Sequence, residues 1–250
     1  MHIADESGFV FHASTFALGG EITRPFNDVL DVQAAATLPS AGGYGSSRAE
    51  KFRYREMISF DRAYSQVVGS SRGGVHETLV TSVIEGLNIL DMVTADRVVG
   101  RLVSEHGRGG KHDPVSLLPL GSYFVNLRIA GVPVHPRPHE MIMQKSLPPV
   151  FDLDTDLRAD AKLELKTGGR ARRVNDFYMT TSIFQPVDGP FKTDASGIID
   201  IDGFGRIILG QYIVTRDSRR LSMIICHLGS PVGGTVVVIE PGGNGSPPGP

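Results

Sequence analysis

The chain has 250 residues, 40% of them hydrophobic, a size that suits one large β domain or two small ones with a real core. Its formal net charge of −2 argues against a nucleic-acid partner, which needs a concentrated basic surface. Its single cysteine excludes an internal disulfide framework, and no run approaches the roughly 18 to 20 apolar residues of a membrane helix.

From Met1 to Ser7 no basic region precedes an apolar core, so this start does not read as a signal peptide. Gly8 to Ile22 reads as a long opening strand with a bulge at Gly19-Gly20. Leu38 to Gly45 is a loop. Phe52, Tyr54, Ile58 and Phe60 then share one side of a second strand, with Arg53, Arg55 and Ser59 opposite. Ser70 to Gly74 interrupts the pattern.

Residues 77 to 104 are ambiguous. Val80, Val83, Ile84, Leu87 and Leu90 make a helical stripe, but the run is rich in Val, Ile and Thr and is broken by Gly86, Asn88 and Gly100. Two strands are favoured over a helix. His106 to Pro114 is a polar loop. Gly121 to Ala130 alternates cleanly, with Tyr123, Val125, Leu127 and Ile129 on one face and Ser122, Asn126 and Arg128 on the other. The prolines at 133, 136, 138, 148 and 149 make 133–149 an irregular connection.

The segment 153–175 is the most polar, and it alone could host a short helix, around Leu157 to Lys166. Strands follow at Ile198–Ile201, Ile207–Val214, Leu221–Leu228 and Thr235–Ile239, with 207–214 and 221–228 forming a central hairpin. The Arg-rich turns Arg170 to Arg173 and Arg216 to Arg220 read as solvated. Pro241 to Pro250 reads as a flexible tail. The expected fold is all-β: an antiparallel sandwich, jelly-roll or immunoglobulin-like, as one domain over 1–240 with a polar insert at about 145–197.

Three stretches resemble blocks of the choice-of-anchor P family of bacterial β-rich surface or secreted proteins. They are Gly86-Leu-Asn-Ile-Leu-Asp-Met-Val-Thr-Ala-Asp96, Gly121 to Val134, and Ile201-Asp-Gly-Phe-Gly-Arg-Ile-Ile-Leu209, and their order and spacing agree. The resemblance implies an all-β extracellular domain, supports strands over helix at 77–104, and implies no activity. It places the protein outside the cell or at its surface. The paired cysteines and secretion signal of that family have no counterpart here, which leaves a cytoplasmic location open.

Chemical motifs give little. Asp152, Asp154 and Asp156, with Asp160 nearby, could converge on calcium, but the EF-hand positions for Gly and Glu hold Leu157 and Leu163. His135, His139 and Glu140, with His106, His112 and Asp113, read as polar loops rather than a zinc site. His227 reads as a hydrogen-bonded core histidine and Cys226 as a small core residue. Ser46, Ser47 and Ser230 sit in Gly-rich turns, no nucleophile elbow is recognised, and Gly107 to Gly110 precedes no helix. No catalytic, cofactor-binding or metal residue is assigned, and no cofactor is expected.

The expected function is therefore a non-catalytic structural subunit of an extracellular layer or filament. It would self-associate through sheet edges or an exposed strand at Phe9 to Leu18. A glycan-binding module is the alternative, with Tyr44, Tyr54, Tyr64, Tyr123, Tyr178 and Tyr212 as stackers. A hydrolase with its site under residues 145–197, using Asp154 or His139, is a further alternative.

Overall fold

Alternating apolar and polar residues commit most of the chain to extended backbone, because each strand must bury one row and expose the next. The computed structural model describes residues 9–106, 116–118, 121–139, 171–174, 177–214 and 219–246. In chain order the strands are β1 (Val10–Thr15), β2 (Leu18–Arg24), β3 (Asp28–Gln33), β4 (Ala36–Thr37), β5 (Gly43–Tyr54), β6 (Ile58–Arg72), β7 (Val75–Ile89) and β8 (Val93–His106). There follow β9 (Ser116–Leu118), β10 (Tyr123–Val125), β11 (Arg128–Ile129), β12 (Val132–Pro133), β13 (Ala171–Val174) and β14 (Phe177–Thr180). The last are β15 (Lys192–Thr193), β16 (Ile199–Ile201), β17 (Gly205–Val214), β18 (Arg219–Leu228), β19 (Gly233–Val238) and β20 (Gly242–Ser246).

Two antiparallel sheets pack into a β-sandwich. The eight-stranded sheet is a meander in which β5, β6, β7 and β8 follow one another, with β9, β10 and β11 along the far side of β8. The twelve-stranded sheet has the order β13-β14-β17-β18-β19-β2-β3, with β20, β1 and β4 continuing it beside β18. One apolar core between the sheets takes Phe60, Val67, Ile84 and Leu102 from the first and Ile207, Leu221, Ile224 and Val236 from the second.

The two strands expected over 77–104 are β7 and β8, joined at Leu90-Asp91, where both residues have positive φ (52° and 55°). That signature of a type I′ turn suits the twist of a hairpin, and the Asn88 carboxamide oxygen accepts from the Asp91 N–H at 2.8 Å. The strands expected from Ile198 to Ile239 also form, with β17 and β18 as the central hairpin. No helix occurs among the described residues, and the segment Leu157 to Lys166 lies outside them.

Several strands are broken where the sequence reads as continuous. The opening run divides at Phe16-Ala17 into β1 and β2, and the register shifts beside Gly19 as the glycines suggest. β1 pairs β20 on one side and β4 on the other, with Phe11 and Ala13 buried, so the run Phe9 to Leu18 is interior rather than exposed. Phe52 and Phe60 do share a face, but as stacked partners across the β5–β6 hairpin, 5.1 Å apart. The run 121–130 changes faces at Asn126, whose φ of 50° leaves Tyr123 and Val125 exposed while Leu127 and Ile129 are buried. Gly242–Ser246, expected in a flexible tail, is a strand held by backbone pairing to β1, which needs no apolar side chains.

These breaks line up across the sheets. In the larger sheet Gly210 lies opposite Met223, whose N–H donates to Ile239 O; the Ile239 N–H donates to Ala17 O, and Ala17 N–H to Gln33 O beside Ala34. Gly210, Ile239 and Ala34 all have positive φ, so the sheet bends along one transverse line. In the smaller sheet the line runs through Lys51, Asp61, Gly86, Asp96 and Asn126, with positive φ at Lys51, Gly86 and Asn126. Gly86 is required there twice over: its φ is +67°, and a Cβ would lie 2.2 Å from Asp61 Oδ2.

Candidate functional site

The side of the smaller sheet that faces away from the core holds an ordered set of side chains. Strand register builds it in four rows across β5, β6, β7 and β8. The first is Glu50–Arg62–Glu85–Arg97, and the second Arg48–Tyr64–Val83–Val99, extended by Tyr123 of β10. The third is Ser46–Gln66–Thr81–Arg101, and the fourth Tyr44–Val68–Leu79–Val103. Residues two apart on a strand share a face, which is why even spacing along four strands gives rows.

The first row alternates in charge and is bonded along its length. Arg62 lies 3.9 Å from Glu50 and 3.5 Å from Glu85, and the Arg97 Nε donates to Glu85 Oε1 at 3.0 Å. The Arg48 guanidinium also pairs with Glu50. The Glu85 hydrogen bond raises the Arg97 pKa above its ordinary value. Such exposed pairs contribute about 0 to 1 kcal/mol each, so they order the face more than they stabilise the fold.

Aromatic and aliphatic side chains fill the remaining rows. Tyr44 is 57% exposed and Tyr123 44%, while Val83 and Val99 in the middle are buried, although they stand outside the core between the sheets. Two shallow depressions adjoin on this face. One of about 510 Å³ is lined by Tyr44, Ser46, Arg48, Arg62, Tyr64 and Gln66. The other, about 600 Å³, lies over the bend and is lined by Glu50, Lys51, Asp61, Arg62, Glu85 and Asp96.

A second cluster fastens the two sheets at one end. Tyr54 Oη donates to Asp28 Oδ2 at 2.7 Å, Arg55 reaches the same oxygen at 3.4 Å, and the Arg55 guanidinium lies 3.6 Å from the Phe26 ring centroid. The Tyr54 hydrogen bond holds the Asp28 carboxyl below its ordinary value, while burial, then the Asp28 contact, raises the Tyr54 phenol. A third, apolar depression of about 300 Å³ lies between Leu90, Met92, Phe204, Pro231 and Val232.

The residues singled out by chemistry do not converge. Among the described residues no group of three or more His, Cys, Asp or Glu could hold a metal ion. His106 is buried beside Phe9, while His135 is exposed. The acidic run at 152, 154, 156 and 160, with His112, Asp113 and Glu140, lies outside the described residues. Cys226 is fully buried, and burial pushes its thiol up to about 12. His227 is on the exposed face of β18, with Nδ1 3.3 Å from Thr235 Oγ1, and is not a core histidine. Arg219 is buried rather than solvated, while Arg220 is exposed and pairs with Glu240 at 3.6 Å.

One pattern escapes the motif reading. Gly69-Ser70-Ser71-Arg72-Gly73 has the spacing of a nucleophile elbow, and Ser71 Oγ lies 2.7 Å from His76 Nδ1. The run ends a β-hairpin instead of turning from strand to helix. Ser71 and His76 are cross-strand neighbours, and the imidazole stacks flat on Phe9 at 4.1 Å. This is a fastening of the hairpin tip to the chain before β1.

Of the tyrosines expected to stack on ligands, Tyr44, Tyr64 and Tyr123 do share the outer face, and Tyr54 is tied to Asp28. Tyr212 is buried, which pushes its phenol up, with Arg219 opposing that shift. The side chain of Tyr178 is outside the described set. The rows themselves escaped sequence reading, since they need the register of four strands at once.

Residues 9–177 match the family model described as Domain of unknown function (DUF8256), and as this is more than half of the chain, the chain belongs to that family. No curated protein and no solved structure matches it.

Proposed function

We propose that this chain is a non-catalytic structural protein, the β-sandwich subunit of a bacterial surface or extracellular assembly, a layer or filament formed by self-association. The observation that carries the reading is where its exposed apolar side chains stand. Val29 is 78% exposed and Val32 54%, both on β3, which ends the path of the larger sheet, with Phe26 in the turn before it. Tyr44, Val68, Tyr123 and Val125 stand out from the smaller sheet, whose path ends at the twelve-residue β5. An open edge with exposed apolar residues is a liability for a monomer and a joint for an assembly. The resemblance to choice-of-anchor P blocks supports the same compartment and class. Negative-stain electron microscopy with light scattering over a concentration series tests it. Ordered particles that grow with concentration are expected, and a monomer without particles at high concentration overturns the reading.

A glycan-binding module is favoured by one specific observation, the depression that sets Tyr44 and Tyr64 beside Arg48, Gln66 and Ser46. Aromatic faces stack on sugar rings and the polar groups would bond their hydroxyls. A glycan array checks this: hits lost with Tyr44→Ala would support it, and an array without hits would remove it.

A further inference from the structure

We infer that the outer face of β5–β8 is a self-complementary interface that packs against the same face of a second copy about a two-fold axis. This rests on the reading that the chain self-associates, and adds a closed pairing of faces with its symmetry, the open edges being left to carry the assembly further. Consider an axis parallel to the strands and midway between β6 and β7. Rotation brings β5 over β8 of the second copy and β6 over its β7, so every row meets itself reversed. An isologous contact of this kind requires a surface complementary to its own reversal.

The first, third and fourth rows meet that requirement. The row Glu50–Arg62–Glu85–Arg97 reads negative, positive, negative, positive, so Glu50 opposes Arg97 of the second copy and Arg62 opposes Glu85 of the second copy. A row with its like charges at the two ends would place charges of one sign together. In the fourth row Tyr44 meets Val103 and Val68 meets Leu79, apolar on apolar. In the third, Ser46 meets Arg101 and Gln66 meets Thr81, each pair able to hydrogen-bond. In the second, Val83 and Val99 are already buried within each copy, and Tyr64 and Arg48 come to lie over the side chains around them, next to Tyr123.

The dimensions suit aligned sheet packing. Four strands about 4.8 Å apart and four rows about 6.8 Å apart cover roughly 500 Å² per copy, or about 1,000 Å² in total. That sits at the threshold of about 1,000 Å² for a specific interface, so the expected dimer is weak and responsive to salt.

Trans-complementation tests this, using the full chain and two variants, Arg62→Glu and Glu85→Arg. Each change places like charges at two symmetry-related contacts, so each variant alone should dimerise about a hundredfold more weakly than the wild type. Mixed in equal amounts, the two should recover wild-type association, because Glu at 62 of one then meets Arg at 85 of the other at one contact, and the native Glu85 and Arg62 meet at the second. Repair within a chain cannot produce this, since neither chain carries both changes. Each change also breaks ion pairs within its own chain, so a melting temperature lower by a few degrees is expected in both variants, with an unchanged far-UV circular dichroism spectrum verifying that they fold. Variants that associate like the wild type, or a mixture that stays monomeric, overturn this interface while leaving self-association standing. A wild type that is monomeric throughout overturns both. A monomer that binds polysaccharide through Tyr44 gives the face to a glycan and overturns the proposal.

Discussion

Cys226 lies in the middle of β18 with its side chain wholly inside the sandwich, and burial lifts its thiol to about 12. Because thiolate is the reactive form, the native protein should show no thiol to Ellman's reagent, and one per chain once denaturant is added. Rapid labelling of the native state would contradict the buried placement. Asp194 has the opposite electrostatics. Burial alone would raise its carboxyl, but the Ser196 hydroxyl and the backbone N–H groups of Ile198, Ser196 and Gly197 together hold it below its ordinary value. It caps the turn between β15 and β16, so Asp194→Ala should cost about 1 kcal/mol at neutral pH. As folding lowers this pKa, the contribution is complete above the ordinary carboxylate value of about 4 and is lost as pH falls through the lowered one. Urea melts at pH 7 and at successively lower pH should show the full penalty at the first and a declining one as the pH falls. At this scale the sequence identifies Cys226 as a core residue but places His227 on the wrong face, since the bend at Met223 breaks the alternation, leaving Met223 in the core while His227 turns outward.

The elements are legible where local chemistry dictates them and obscure where a neighbour does. Asn88 and Asp91 announce the β7–β8 turn, and Gly73-Gly74 the β6–β7 turn, so two hairpins can be read from composition. The transverse bends cannot be read so. Lys51 and Ile239 hold positive φ against their own preferences, because adjacent strands bend at the same level. The bend in the larger sheet presses Met223 and Ile239 against β8, where the row Ser47–Ser65–Ser82–Gly100 offers only small side chains, Ser65 and Ser82 being bonded at 2.5 Å. A Cβ on Gly100 would lie 2.2 Å from Ile239 Cγ2 and 2.9 Å from Met223 Cγ. Gly100→Ala should therefore destabilise by about 1 to 3 kcal/mol through overpacking, which differential scanning calorimetry would register as a melting temperature lower by several degrees. An unchanged melting temperature would show that the sheets do not approach there. In the sequence Gly100 reads merely as an interruption of a strand; its reason lies across the core.

Across the whole molecule the fold class follows from alternation, whereas the closure of the larger sheet does not. The family match ends at residue 177, yet β2 and β1 find their partners in β19 and β20, and β14 finds its partner in β17. The tail-like composition of 241–246 conceals one of these closing strands, since backbone pairing with β1 asks nothing of its side chains. A fragment of residues 9–177 should consequently lack a cooperative thermal transition, and a sharp one would contradict the pairing described. The four-row face belongs to this scale as well, because it exists only when β5, β6, β7 and β8 are in register. Sedimentation equilibrium of the full chain over a hundredfold range of concentration tests the account most directly. A weight-average mass that rises from 26.9 kDa to twice that value and beyond it, and falls back as salt is added, is the expected result. A mass fixed at 26.9 kDa at every concentration would contradict it.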